Sequence, residues 1–253
     1  MAVDAITRTQ AQQLSPTLII GLGGTGGDIL LRIRKKFFEK FGSVDEFPIV
    51  SYLWFDTDKN YKDVGAKQYA RKVDFSGTEE HLLTIEDTGA ITGNLDKDIY
   101  RNIASWWPTG LNIIPRLDDG AGQYRPYSRL GLYHHYTRPE TSVRQSIVDA
   151  LAKIQNPASI DKVLHSPKLQ RLNYAADLDV AKRNVYLIGS LAGGTGSGMF
   201  LDMARIVRYL AADAILVGFF ATSRFFPHAK PRMHANTYAA LLEWDYYNTH
   251  EFR

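Results

Sequence analysis

Leu187-Ile-Gly-Ser-Leu-Ala-Gly-Gly-Thr-Gly-Ser-Gly-Met199 is the stretch whose reading fixes the fold. Val185–Ile188 is a short apolar run between Asn184 and Gly189, the length of a buried strand. Gly193, Gly194, Gly196 and Gly198 follow, with Thr195 and Ser197 between them. From Met199 to Ala211 the pattern turns helical, and Asp202, Arg205, Arg208 and Tyr209 are spaced to share an exposed face. A strand, a glycine turn and a helix start form a site for a polyanion. Unpaired backbone N–H groups and the positive end of the helix dipole point at the same place. Glycine lets a phosphate approach the backbone, and the two hydroxyls add donors.

Working outward, Pro16–Gly21 reads as another strand, running into Gly21-Leu-Gly-Gly-Thr-Gly-Gly27. A helix is predicted from about Asp28, its capping residue, to Phe41, with Ile29, Leu30, Ile33, Phe37 and Phe41 as its apolar stripe and Gly42 as its stop. Pro48–Phe55 is the next strand, with Asp56-Thr-Asp58 at its C-terminal edge, where open α/β sheets bind ligands. Lys72–Phe75 is predicted as a brief third strand. Trp106-Trp107-Pro108 reads as core packing under a long connection or as a partner-binding patch. Asp118–Pro126 is a further glycine-bearing loop. A helix is predicted from Pro139, with Val143, Ile147, Leu151 and Ile154 on one face and Asn156-Pro157 at its end. Ala214–Ala221 is another buried strand, Thr222–Pro231 a basic loop and Arg232–Tyr247 a helix. Strands alternating with helices predict an α/β, three-layer Rossmann-like domain: a mostly parallel sheet with helices on both faces.

At 253 residues, 45% hydrophobic and 23% charged, the chain suits one such domain with an insertion. No run approaches a membrane span, and Met1–Ser15 has no secretory pattern and reads as a mobile arm. The absence of cysteine excludes disulfides and thiolate metal sites and is compatible with a cytoplasmic protein. A net charge of +3 is modest, so Arg32, Arg34, Lys35 and Lys36 read as a solvated helix face and no nucleic acid is expected as a partner. His134-His135 is a poor metal pair because adjacent side chains diverge. Asp118 and Asp119 read as a solvated loop. Arg125 and Arg129 are either surface arginines or arms toward a phosphate. No nucleophile elbow is present, and Ser190 and Ser197 have no evident His or Asp partners.

Gly21-x-Gly-x-x-Gly26 followed by Asp56 also satisfies the dinucleotide fingerprint, which keeps an NAD(P)-dependent oxidoreductase as a rival. Gly193-x-x-x-x-Gly198 has P-loop spacing, yet Met199-Phe200 stands where Lys and Ser/Thr are required. Neither motif predicts two glycine turns, each after a strand and each opening a helix. Two such helix starts converging on one sheet edge would hold a di- or triphosphate.

Ala192-Gly-Gly-Thr-Gly-Ser-Gly198 resembles the glycine-rich signature of the tubulin/FtsZ superfamily. Gly21–Gly27 is similar to that family's first nucleotide loop, Asp56-Thr-Asp58 to its second, Gly120-Ala-Gly122 to its third and Thr222–Arg232 to its ribose-side loop. The resemblance covers most of 16–58 and 184–247, with 60–118 as an insertion that could receive a protein partner. It implies a GTP/GDP-binding domain over 16–253. Gly21, Gly23, Gly24, Thr25 and Gly26 would meet the α- and β-phosphates. Gly193, Gly194, Thr195, Gly196 and Ser197 would hold the phosphate chain, and Gly120, Ala121 and Gly122 would face the γ-phosphate. Asp58 would lie near Mg²⁺ and Arg232 near the ribose, although His228 replaces the family's glutamate. The family's base-reading residues and the carboxylates of its C-terminal activation domain are not in this sequence, so a fragment or a reduced module is expected. Hydrolysis would then need a catalytic loop from a longer chain or a neighbouring subunit. The resemblance further implies longitudinal self-association into filaments. A GTP-gated interaction module that does not polymerise is the alternative.

Overall fold

Five parallel strands run through the computed structural model: β1 (Thr17–Leu22), β2 (Val50–Asp56), β3 (Glu80–Leu82), β4 (Asn184–Ser190) and β5 (Ile215–Ala221). Their spatial order is β3-β2-β1-β4-β5. The structure describes residues 14–60, 73–111, 114–136, 138–140, 142–171 and 178–250. The central strand β1 pairs with β2 on one side and β4 on the other, so that Gly21 lies between Trp54 and Ile188. Winding reverses between β1 and β4, and the crevice beyond their C-terminal ends is the switch point at which such sheets bind ligands.

Both sheet faces are covered, as parallel strands require. Helix α1 (Gly23–Phe41) lies on one face, where Leu30 joins Ile19, Tyr52 and Ile188. The other face buries Leu18, Ile20, Leu22, Phe55, Val185 and Leu187. Against them pack Val143, Ile147, Leu151 and Ile154 of one helix (Val143–Gln155) and Met199, Phe200, Met203 and Val207 of another (Thr195–Leu210). The stripe expected at Val143, Ile147, Leu151 and Ile154 therefore supplies part of this core. Gly42 ends α1 in the left-handed conformation, φ 74°, donating its N–H to Phe38 O.

Between β3 and β4 the chain forms α2 (Gly89–Thr92), α3 (Arg101–Ala104), α4 (Arg125–His135), α5 (Val143–Gln155), α6 (Pro157–Leu164) and α7 (Pro167–Arg171). The later helices are α8 (Thr195–Leu210) and α9 (Pro231–Thr249). Ser142 caps α5 by accepting the Gln145 N–H at 3.1 Å, and Asn156 caps α6 through Ala158 N–H at 2.9 Å.

Several expectations need correction. The third strand is Glu80–Leu82: Lys72 lies outside the described residues and Val73–Phe75 is not a strand. The carbonyls of Val73 and Asp74 instead accept the Arg34 guanidinium at 2.6 and 2.8 Å. Arg34 is 5% exposed and pairs with Glu79, so it does not belong to a solvated basic face. Asp28 is not a cap, because α1 already begins at Gly23, and α8 begins at Thr195, ahead of Met199. Trp106 and Trp107 pack in a second core with Ile103, Leu117, Tyr127 and Leu130, which favours the packing reading of that pair. Strand β5 is more open than expected, with Ile215 48% and Phe219 57% exposed. The N-terminal arm lies outside the described residues apart from Leu14 and Ser15, and Leu14 bridges Leu178.

Candidate functional site

The glycine-rich stretches are strand ends and first helical turns. β1 runs through Leu22, and Gly23 then turns the chain at φ 70°, a conformation open to glycine at little cost. A Cβ added at Gly23 would sit 3.1 Å from Gly196 N and from Thr195 Cβ, so the starts of α1 and α8 are in contact. Neither start has a side-chain cap, and neither helix carries an acidic residue in its first turn. The positive ends of two long helices therefore meet at the β1/β4 switch point with no neutralising group from their own first turns.

Two further segments join them. Thr57 is fully buried, and its Oγ1 lies 2.8 Å from Thr195 Oγ1, tying the end of β2 to the start of α8. Asp58 bridges Asp119, and Thr57 O accepts the Gly120 N–H at 3.1 Å. The loop 120–123 then lies against Gly194, where an added Cβ would come within 2.9 Å of Gln123 Cα and 3.0 Å of Ala121 Cβ. Gly193 differs: a Cβ there would meet nothing within 4 Å, so packing inside the chain does not demand a glycine.

The residues singled out from the sequence thus gather at one edge but divide by accessibility. Gly24, Thr25, Asp58, Gly120, Gly193 and Thr195 are partly open and Gly122 is exposed. Gly21, Gly23, Gly26, Ala121, Gly194, Gly196 and Ser197 are buried. At Gly26 an added Cβ would lie 2.6 Å from Ile188 O, so this glycine lets α1 approach β4. The Ser197 hydroxyl is buried without a hydrogen-bond partner among the described residues. Arg232 is exposed, and its guanidinium stacks 4.1 Å from the Tyr124 ring centre, beside a hollow shared with Gly122, Gln123 and Lys230.

Asp56, at the tip of β2, is 2% exposed. Its Oδ1 accepts the Thr57 N–H at 2.7 Å and the Asp58 N–H at 3.3 Å, while Oδ2 has no partner among the described residues. Burial pushes its carboxyl up to about 7, against the opposing pull of those two amides. Asp118 is a structural ion-pair residue: the Lys59 ammonium at 2.6 Å, aided by Arg116, holds its carboxyl below the usual range. Arg125 and Arg129 are neither loose surface arginines nor directed at loop 120–122. Arg125 donates to Ser197 O and pairs with Glu243, and Arg129 pairs with Asp202 at 2.7 Å and lies over Trp106. These contacts line a cleft of about 410 Å³ between α4, α8 and α9, which Gln123, Ser197, Arg232 and Asn236 also border. Among the described residues no group of three or more His, Asp or Glu is arranged to hold a metal.

Asn236 is not among the residues the sequence motifs single out. It is 7% exposed, and its Nδ2 donates to Gln123 O, Ala192 O and Gly193 O at 3.0, 3.1 and 3.3 Å. The available signal was Asn236-Thr237 inside an otherwise helical run, since both residues favour bonding to backbone over helix interiors.

A doubly wound, all-parallel α/β sheet with two uncapped glycine-rich helix starts at its switch point defines the class: a three-layer domain built to present backbone amides at one edge. A family model described as "Tubulin like" matches residues 18–253, and the chain belongs to that family. Among solved structures it is similar to CetZ from Methanosaeta thermophila strain DSM 6194, with a TM-score of 0.47 and 14% identity over 91% of this chain and 42% of that one. It is also similar to the GDP-bound monomer of CetZ1 from Haloferax volcanii, with a TM-score of 0.41 and 12% identity over 89% of this chain and 46% of that one. The chain thus spans less than half the length of either. A comparison with curated proteins found no match. No helix among the described residues is long and apolar enough to cross a membrane.

Proposed function

We propose that the domain binds GTP at the β1/β4 switch point and supports nucleotide-dependent self-association into filaments, hydrolysis being completed only at a junction between subunits. The observation that carries this reading is the meeting of the two uncapped helix starts, with Gly193 open beside them. The first turns of α1 and α8 would hold the α- and β-phosphates through backbone amides. Loop 120–122 would face the terminal phosphate. Asp58 would lie near Mg²⁺, whose preference for hard oxygen ligands suits a carboxylate and phosphate oxygens. The bound ion would neutralise charge on the phosphates, and Arg232 would lie on the ribose side.

The oxidoreductase reading needs Asp56 to receive a ribose hydroxyl. Its burial and the use of Oδ1 by two backbone amides weigh against that role.

Equilibrium titration with GTP, ATP and NAD, on the unaltered chain and on Gly193→Asp, tests the proposal. A Cβ at Gly193 meets nothing within 4 Å, so the substitution is expected to add a negative charge beside the phosphates at little cost to the fold. GTP affinity is expected to fall about tenfold or more, a repulsion of at least ~1.4 kcal/mol. NAD binding indifferent to the substitution would overturn the proposal in favour of its rival.

A further inference from the structure

Three successive residues, Gln123, Tyr124 and Arg125, connect loop 120–122 to the start of α4, and each grips α9. Gln123 O accepts from Asn236, the Tyr124 ring lies under Arg232, and Arg125 pairs with Glu243 through Nη1 and Oε1 at 2.8 Å. Gln123 is also the only non-glycine residue at positive φ, 64°, among the described residues. The loop therefore leaves its glycines through a strained residue whose carbonyl is held from outside. Asn236 is the one side chain of this set that is buried and that reaches both loops. With two amide hydrogens it serves carbonyls at the end of loop 120–123, at Gln123, and in the glycine-rich turn after β4, at Ala192 and Gly193.

We propose that Asn236 is a positioning residue that fixes loop 120–123 against Gly193–Gly194, and that this grip sets the preference for a nucleoside triphosphate over the diphosphate. The inference rests on the proposed function, in which loop 120–122 faces the terminal phosphate and the α1 and α8 starts hold the inner two. Loosening the outer loop then costs contacts made by the triphosphate alone. Because α9 also carries Arg232 and Glu243, a shift of the loop on triphosphate binding passes directly to that helix.

Isothermal titration with GTP and with GDP on Asn236→Ala, Asn236→Asp and the unaltered chain is the test. Thr237→Ala serves as the control: Thr237 is buried beside Asn236, but its Oγ1 accepts from Ser223 N–H at 3.0 Å, on the β5 side. Asn236→Ala is expected to weaken GTP about tenfold and GDP by less than about threefold, the scale of one lost buried hydrogen-bonding group. Asn236→Asp, which offers the carbonyls no donor when ionised, lowers the ratio at least as far. Thr237→Ala leaves the ratio unchanged even where it lowers the melting temperature. An equal loss of GTP and GDP affinity in Asn236→Ala would overturn the inference and leave the proposed function standing. Failure of the unaltered chain to bind either nucleotide removes both. Hydrogen exchange on the unaltered chain gives a readout independent of the variants' folding. Residues 120–125 and the first half of α9 should gain protection together with GTP and not with GDP, and equal protection with both nucleotides counts against the grip.

Discussion

Asp56 holds a carboxyl where water scarcely reaches, and that has a consequence for stability. Its folded value is near 7 against an ordinary 3.8. Between those limits the folded chain keeps a proton that the unfolded chain has released, so stability falls as pH rises from about 4 to 7 and the full cost is present above 7. Asn at this position keeps the oxygen that accepts from Thr57 and Asp58 and never ionises. Asp56→Asn is therefore expected to be more stable than the unaltered chain at pH 8, by roughly 1–4 kcal/mol, with little difference at pH 4. Urea melts at the two pH values check this, and a gain of equal size at both would refute it. His81, His134 and His135 act in the opposite sense: burial lowers all three, His134 to about 4, so each costs stability as pH falls below 6.5. Both chains share that loss, and it cancels in the comparison. Two glycines give a second test at the same scale. Gly23→Ala, at φ 70° and against Gly196, should cost about 1–2 kcal/mol, whereas Gly193→Ala should stay within about 0.5 kcal/mol. Thermal melts that fail to separate the two would remove the distinction between a glycine required by backbone geometry and one with open space around it.

Among the helices, α1 shows how a periodic reading goes partly astray. Leu30, Arg34 and Phe41 lie at helical spacing on its buried side, so Arg34 occupies a position within the apolar stripe. Its guanidinium satisfies two carbonyls and Glu79 and faces the rings of Tyr52 and Phe75. Arg34→Met strands those acceptors and should destabilise the chain by about 2–4 kcal/mol, while Arg32→Met, on the exposed side, should change stability by less than about 0.5 kcal/mol. A denaturation series on the pair decides between a buried clamp and a solvated charge. Nothing in the run Arg32–Lys36 announces this, because the partners are supplied from residues 73–79. For the same reason β3 differs from the strand expected at Lys72–Phe75: Glu80-His-Leu82 has no apolar alternation, and its place is set by pairing with Trp54–Asp56. Helix α4 is not among the elements the sequence pattern predicts. Its buried face includes Ser128 and Gly131, where an added Cβ at Gly131 would lie 2.7 Å from Leu83 O and Ser128 Oγ reaches Gly194 O at 2.8 Å. Close approach selected those residues, and small residues leave no periodic signal. The glycine turns after β1 and β4 were legible because strand, turn and helix are contiguous there. Asn236 was not, since its acceptors lie 43 to 113 residues away.

For the molecule as a whole, the arrangement of open surfaces bears on assembly. The candidate site lies at the C-terminal ends of β1 and β4, and Gly122 is exposed beside it, so a nucleotide held there would present its terminal phosphate side to a second molecule. A junction formed across that edge would then sense whether the third phosphate is present, which is how a local ordering event becomes a change in association. Exposed apolar side chains on β5 and α9, among them Phe219, Leu242 and Tyr246, supply surface that can associate without nucleotide, and a net charge of +3 opposes this only weakly. The informative quantity is therefore the nucleotide-dependent part of the association. Light scattering should rise more with GTP or a non-hydrolysable analogue than with GDP, and electron microscopy of the same samples should show linear particles. Gly193→Asp should remove the difference between GTP and GDP while leaving the nucleotide-independent background. Scattering that is the same with either nucleotide, together with intact GTP binding by titration, would reduce the protein to a nucleotide-gated module that does not polymerise. A GTP-dependent rise that survives Gly193→Asp would place the switch elsewhere on the molecule.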